Sequence, residues 1–214
     1  MLPKSHNMTI SSKISEIHVC IGTPDTAVLQ KLLKQCTIEE LHMCLPPNGH
    51  AAIHEAIYQC NIDALTLLIS HGVDIESPID LSSNLEDSAF YFSEEQGMSP
   101  LAYATFHGYA TLAKKLIEAG ANLNRIQHPV LSYTPLCWAV QQWTKWGSKS
   151  YQDLVDMLLE HGADPNLGQP SPLFLCLGTE SDQLMRQLIR KGASIDVYNS
   201  EGVSLWKATV LHGL

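Results

Sequence analysis

From residue 50 onwards the hydrophobic positions recur in blocks of similar order. Each block opens with a mostly apolar hexapeptide, continues with a second apolar stretch and closes with a hexapeptide that contains glycine. The opening hexapeptides are AAIHEA from Ala51, SPLAYA from Ser99, TPLCWA from Thr134 and SPLFLC from Ser171, and a fifth, VSLWKA, starts at Val203. The closing hexapeptides are HGVDIE, AGANLN, HGADPN and KGASID. This recurrence indicates internal repeats rather than one large globule.

Each repeat predicts two helices joined by a turn. A serine or threonine followed by proline opens three of the repeats, at Ser99, Thr134 and Ser171. The hydroxyl can accept a backbone N–H as a helix cap, and proline suits the first helical position because no N–H is needed there. Paired apolar residues predict the buried stripe of a second helix, and a glycine that can adopt the left-handed conformation ends it. The pairs are Leu67–Leu68, Leu116–Ile117, Leu158–Leu159 and Leu188–Ile189, and the glycines are Gly72, Gly120, Gly162 and Gly192.

These repeats resemble the ankyrin repeat, a unit of about 33 residues that consists of a turn, two antiparallel helices and a loop. The resemblance covers residues 49–214 and implies an all-α fold, a solenoid of stacked helix-turn-helix units with finger loops. In such a fold each unit buries its apolar face against its neighbours. The first repeat departs from the family pattern because Ala51 and Ala52 replace the opening threonine and proline, although His54 keeps the usual histidine.

The two ends of the chain differ from the repeats between them. Residues 1–12 are polar and aperiodic, which predicts a disordered tail. Residues 13–48 predict an N-terminal helical cap or degenerate repeat, with Thr23 capping one helix and a Thr37 to Glu40 capping box starting the next. At the other end, the partial repeat that opens at 203 is expected to be either a minimal cap or the stump of a longer protein.

Two repeats carry insertions. The openers at 51, 99, 134, 171 and 203 are 48, 35, 37 and 32 residues apart. In the first repeat the extra residues predict an enlarged finger loop over 77–96. In the third repeat seven extra residues lie between the predicted helices and are expected to expose Trp143, Trp146 and Tyr151. Loop growth in repeat proteins often falls on the face that binds partners.

Charge is distributed unevenly along a chain whose formal net charge is −9. Residues 35–113 contain no lysine or arginine but eleven acidic residues. This anionic region is expected to repel nucleic acid and anionic lipid and to steer a basic protein partner towards the repeats. The alternative is that the acids only keep the surface soluble. Phe90 and Phe92 lie between acidic pairs in the enlarged loop and predict either partner contacts or packing of the loop onto the repeats.

The family resemblance implies that a partner binds a concave groove formed by loop tips and the exposed ends of the first helices. The matching positions lie in repeats one to three, because the fourth repeat offers Pro170, Gly178 and Thr179 there. Tyr58, Phe106, Tyr133 and Trp143 are the strongest candidates, although each could instead pack against a neighbouring repeat. The full set of candidates, including the two loop phenylalanines, is His50, Tyr58, Gln59, Phe90, Phe92, Met98, Phe106, His107, Tyr133, Gln141, Gln142 and Trp143.

The sequence gives little support for catalytic or metal chemistry. Cys44, His50, His54 and Cys60 are the densest group of metal-ligating residues, but their spacing matches no zinc-binding pattern. Phosphate-binding and dinucleotide-binding motifs and a nucleophile elbow are absent. The six cysteines are scattered, which favours free thiols in a reducing compartment. We expect no cofactor, no metal, no secretory leader and no membrane span, hence a cytoplasmic protein.

The expected function is that of a monomeric, non-enzymatic module that binds another protein. Two alternatives remain open at this point. The chain could be the targeting or regulatory part of a larger enzyme, which its ending after one helix of a repeat allows. It could also be an irregular ankyrin-type effector that an intracellular bacterium delivers into the host cytosol.

Overall fold

In the computed structural model, the described residues are 4–23, 25–43, 50–80, 95–126, 132–177, 181–199 and 201–207. Within these ranges the regular elements are eleven α-helices. They are α1 (Lys4–Ile21), α2 (Thr26–Leu33), α3 (Ile38–Leu41), α4 (Ala52–Tyr58), α5 (Ile62–Ser70), α6 (Pro100–Phe106), α7 (Ala110–Glu118), α8 (Pro135–Trp146), α9 (Lys149–Glu160), α10 (Pro172–Leu175) and α11 (Asp182–Arg190). The all-α prediction is confirmed.

The chain divides into two compact units, Met1–Tyr103 and Ala104–Leu214. In the second unit the helices of successive repeats contact each other in order. First helix α10 contacts first helix α8, and second helix α9 contacts second helix α7. In the first unit α1 contacts α4 and α2 contacts α5, so this helix pair stacks on the first repeat as another repeat would. Each pair thereby buries the apolar face that its own sequence provides.

The predicted starts of the first helices are confirmed. The Oγ1 of Thr134 accepts the N–H of Cys137 at 3.2 Å, and α8 begins at the next residue, Pro135. The hydroxyls of Ser99 and Ser171 cap α6 and α10 in the same way. The predicted ends of the second helices are confirmed too, because each of the four closing glycines has a φ between +87° and +95°.

The N-terminal segment differs from the sequence prediction. Helix α1 begins at Lys4, so residues 4–12 are helical and not the disordered tail that was expected. Ile14, Ile17 and Ile21 are spaced to lie on one face of this helix, and all three are completely buried. Once packing has fixed these turns, the helix can extend towards the N-terminus at little cost, because each further residue adds a backbone hydrogen bond.

Capping in this segment was predicted correctly for one helix and wrongly for another. The Thr37 to Glu40 capping box is confirmed, with Glu40 N–H donating to Thr37 Oγ1 at 3.2 Å and Thr37 N–H to Glu40 Oε2 at 2.8 Å. Asp25 rather than Thr23 caps α2, because the carboxylate accepts the N–H of Ala27 at 3.0 Å. The Thr23 hydroxyl instead donates to the carbonyl of Cys20, at the end of α1.

The insertion in the third repeat forms helix rather than loop. Helices α8 and α9 each have 12 residues, whereas α4 and α5 in the first repeat have 7 and 9. Only Gly147 and Ser148 separate the two long helices. Of the three aromatic residues expected to be exposed here, Trp146 is exposed and Trp143 and Tyr151 are half-buried. The prediction was wrong because it assumed that the helices have the same length in every repeat, so that the extra residues had to lie between them.

The enlarged loop of the first repeat is described only at its base. Ile79, which is buried, donates its N–H to the carbonyl of Met98 at 2.9 Å and accepts the N–H of Gly97 at 2.9 Å. These two bonds close the loop. Residues 81–94, which include Phe90 and Phe92, lie outside the described residues.

The turn after α4 contains a strained residue, which leads to a stability prediction. Cys60 has a φ of +52°, and the corresponding residue after α6 is Gly108, with a φ of +77°. The following residues, Asn61 and Tyr109, make the same backbone hydrogen bond of 2.9 Å to residues 56 and 104. A left-handed conformation costs about 1–2 kcal/mol for a residue with a Cβ, and the greater freedom of glycine in the unfolded chain offsets part of this.

We therefore expect Cys60→Gly to raise the free energy of unfolding by about 0.5–1 kcal/mol, measured by urea denaturation. Gly108→Ala is the matched reverse change and should destabilise the chain. An added Cβ at Gly108 would also lie only 3.1 Å from the ring of Tyr151. Loss of stability in Cys60→Gly would contradict the assignment of strain to this turn.

Candidate functional site

In the N-terminal unit the candidate residues separate into buried and exposed pairs. His50 and Met98 are buried, with exposed fractions of 2% and 1%. Tyr58 and Gln59, at the C-terminal end of α4, are exposed, and Tyr58 keeps 49% of its surface in contact with solvent. The end of the first helix thus presents an aromatic ring and an amide, as the repeat pattern predicted.

A hydrogen-bonded cluster supports these two exposed residues. Glu55, one turn before Gln59, accepts the side-chain amide of Gln59 at 2.7 Å and lies 3.3 Å from Nδ1 of His50. The hydrogen bond from His50 lowers the pKa of the Glu55 carboxyl, and the bond from Gln59 adds to this, although burial opposes both. The imidazole of His50 also contacts the Tyr58 ring, with the ring centres 5.6 Å apart. The hydrogen bonds of Glu55 and the ring contact of His50 therefore fix the positions of Tyr58 and Gln59.

Two further histidines lie close to this cluster. His54 is completely buried, and neither of its ring nitrogens makes a hydrogen bond to a side chain or carbonyl of good geometry. Burial lowers the pKa of His54 to about 3, and the nearby His50 contributes in the same direction. Burial likewise lowers the pKa of His18 on α1, against the attraction of Glu55. The first repeat consequently holds the neutral imidazole of His54 in its interior.

In the C-terminal unit Tyr133 belongs to the core. It is only 5% exposed, and its ring meets that of Trp138 with the centres 4.7 Å apart. Phe106 contacts the same tryptophan edge to face, at 5.2 Å and 87°. Tyr133 could have contacted a partner or packed against a neighbouring repeat, and the structure shows packing. Phe106, in contrast, is half-buried and keeps part of its ring in contact with solvent.

The remaining candidates in this unit lie after α6 and on α8. His107 is half-buried, with its ring 5.0 Å from Phe106 and stacked on Tyr109 at 5.6 Å. Gln141 and Trp143 are half-buried. Gln142 is 6% exposed and accepts the indole N–H of Trp146 at 3.0 Å. Gln142 therefore positions a neighbouring ring rather than offering its own surface.

Trp146 is a surface residue that the sequence analysis left out of the candidate set. It is 64% exposed, and the ammonium of Lys145 lies 5.0 Å from the centre of its ring. The sequence analysis expected its exposure, but of the aromatic residues in the insertion it carried only Trp143 into the set. The general rule that insertions often carry binding residues was the signal that pointed to it.

Among the residues that the structure describes, no three His, Cys, Asp or Glu side chains are arranged to hold a metal ion. Cys44 of the group considered above lies outside those residues. The same part of the chain has no helix that is both long and apolar enough to cross a membrane.

Helix pairs of recurring order define a helical repeat protein; three of them start with a capped proline, and four end with a left-handed glycine. The family model for ankyrin repeats (3 copies) matches residues 17–127 and 80–169. These ranges cover more than half of the chain, which therefore belongs to the ankyrin-repeat family. Ankyrin repeats are general protein–protein interaction modules, and proteins built from them are typically not enzymes. A search of curated proteins finds none that matches the chain.

Proposed function

We propose that this chain binds a protein partner through the exposed ends of the first helices in repeats one to three. Tyr58 and Gln59 would provide the contacts in the N-terminal unit. Phe106, His107, Gln141 and Trp143 would provide those in the C-terminal unit. His50, Met98, Tyr133 and Gln142 would support these contacts from below the surface, because they are buried.

The observation that carries this proposal is the exposure of Tyr58. Large aromatic side chains contribute most of the binding energy in many protein interfaces, since they bury much area at a small entropic cost. Tyr58 is 49% exposed, yet its ring contacts His50, which is held by Glu55. An anchor that is already positioned loses little entropy on binding, which favours affinity.

Charge suggests what the partner of the N-terminal unit could be. Eleven acids lie between residues 35 and 113, and of those that the structure describes only Glu55 is buried. Asp63 and Asp74 are among those exposed to solvent. A field of this sign raises the association rate of a basic protein, and added salt reduces the effect. We accordingly propose a basic partner surface for this unit.

The proposal is tested by replacing Tyr58 with alanine. Proteins captured from a cell lysate by the immobilised chain would be quantified for the native chain and for Tyr58→Ala. We expect the principal captured protein to bind at least tenfold more weakly to the variant, as is typical of hot-spot aromatics. Raising the salt from 0.05 to about 0.5 M should slow its association, because the Debye length shortens to a few ångströms.

Tyr198→Ala is the matched control, since Tyr198 is also exposed, at 57%, but does not lie at the end of a first helix. Its binding should equal that of the native chain. If Tyr58→Ala and Tyr198→Ala capture the protein equally well, the first-helix ends do not form the binding surface.

A further inference from the structure

A second surface lies at the turn between α8 and α9. We define this elbow as residues 145–151, from Lys145 to Tyr151, which follow the residues Gln141 and Trp143 of the surface proposed above. It exists because the extra residues of the third repeat lengthen both helices by about one turn beyond those of the first repeat. It lies at the opposite end of α8 from Thr134 and Tyr133, so it is separate from the finger loops between the repeats.

The elbow is basic in a chain that is acidic as a whole. From Ala119 to Gln152 the sequence has no aspartate or glutamate, but it contains Arg125, Lys145 and Lys149. Both lysines of the elbow are exposed. Ion pairs among the described residues include His50–Glu55 and Lys115–Glu118, and neither elbow lysine is paired with a carboxylate of the described residues. The two ammonium groups are therefore available to an acidic ligand.

Trp146 gives the elbow an apolar anchor. Its indole is 64% exposed, and its N–H donates to Gln142 Oε1 at 3.0 Å. Gln142 is itself 6% exposed, so the bond fixes the ring to the body of the helix. Tryptophan is enriched among the residues that dominate protein interfaces.

The backbone of the elbow is held in place from both sides. Gly147 has a φ of +61°, and its N–H donates to the carbonyl of Trp143 at 2.7 Å, which closes the end of α8. The Tyr151 hydroxyl donates to the carbonyl of Phe106 at 3.2 Å, which ties the start of α9 to the turn of the preceding repeat. A surface with this support would not need to become ordered when a ligand binds.

We infer that the elbow binds an acidic segment of a protein partner, in which an apolar side chain contacts Trp146 and carboxylates pair with Lys145 and Lys149. The inference rests on the proposed function, protein binding, and adds a surface whose charge preference is opposite to that of the N-terminal unit. Two lysines beside one anchor fit a short peptide, whereas nucleic-acid binding generally depends on a larger basic surface.

The test is a selection of random 12-residue displayed peptides on the intact chain, with excess soluble Lys145→Glu/Lys149→Glu chain present as competitor. We expect the selected peptides to contain several Asp or Glu residues around a large apolar residue. Their dissociation constants should rise at least tenfold in Trp146→Ala and in Lys145→Gln/Lys149→Gln. The latter variant should also show a weaker dependence of affinity on salt.

Lys31→Gln/Lys34→Gln is the matched control, because it removes the same charge from exposed lysines near the end of α2. Its affinity for the peptides should stay within twofold of the native chain, and thermal melts should show that every variant is folded. If peptides are selected without any acidic preference, or bind elbow variants unchanged, the inference is wrong while the proposed function stands. Preferential binding of a single-stranded oligonucleotide at the elbow would also overturn it. If neither a peptide nor a lysate protein binds the chain, both are wrong.

Discussion

Trp138→Ala is expected to lower the free energy of unfolding by about 3–5 kcal/mol, the range typical of deleting a large buried aromatic side chain. Trp138 is 1% exposed and lies between Tyr133 and Phe106, whose ring centres are 4.7 and 5.2 Å from its own. Removing the indole leaves a cavity and takes away the edge contacts of both neighbours. Denaturant unfolding followed by circular dichroism measures the loss.

Trp146→Ala is the control for this change, since both tryptophans lie on α8 and differ in burial. Trp146 is 64% exposed, so its removal should cost less than about 1 kcal/mol, mainly through the lost hydrogen bond to Gln142. Equal losses in the two variants would mean that the aromatic cluster around Trp138 is not the core of this repeat.

Acidification is expected to destabilise the N-terminal unit through His54. The pKa of this histidine is lowered to about 3 in the fold, mainly by burial, from its ordinary value of 6.5. Below about pH 6.5 the unfolded chain therefore binds a proton at His54 that the folded chain does not bind. The contribution of neutral His54 to the free energy of unfolding is fully present above this pH and is lost as the pH falls below it. Between pH 7 and 5 the loss from this one residue is about 2 kcal/mol.

Two other titratable groups of this unit, His18 and Glu55, also destabilise the fold when the pH falls. His50 faces His54 at a ring distance of 6.2 Å, and Tyr103 from α6 faces it at 5.9 Å. Burial lowers the pKa of His18, so this histidine also opposes folding as the pH falls below 6.5. The pKa of Glu55 is lowered by its hydrogen bond with His50, so its stabilising effect is present above about pH 4.5 and is lost below it.

The measurement is the difference in unfolding free energy between pH 7 and pH 5. In His54→Leu this difference should shrink by about 2 kcal/mol, whatever the effect of leucine on the stability at pH 7. His161→Leu is the control, because His161 is exposed on the C-terminal unit and should leave the difference unchanged. A pH dependence that is the same in His54→Leu and the native chain would contradict the burial of a neutral imidazole.

Local rules were enough to predict most of the repeat architecture. Serine or threonine before proline started helices where expected, as Thr134 shows, and the closing glycines ended them. Such signals act over a few residues and can be recognised without tertiary structure. The start of α1 could not be predicted in this way, because this helix is stabilised by the burial of Ile14 and Ile17 against helices that are distant in the sequence.

The candidate site was harder to predict than the fold. Position within the repeat correctly placed Tyr58 at an exposed helix end, but it gave Tyr133 the same status although that ring is buried against Trp138. The difference depends on which neighbour covers each ring, and position within a repeat does not contain this information. Trp146 was missed from the set because the sequence did not show which aromatic residue of the insertion would be the more exposed one.

Site-specific photocrosslinking tests the central claim most directly. A benzoylphenylalanine residue would replace Tyr58, Phe106 or Tyr198 in turn, and each intact chain would be irradiated in the same lysate. Binding by the first-helix ends predicts that the probes at 58 and 106 crosslink to a protein while the probe at 198 does not. Crosslinking with equal yield at all three positions, or at Tyr198 alone, would contradict the account.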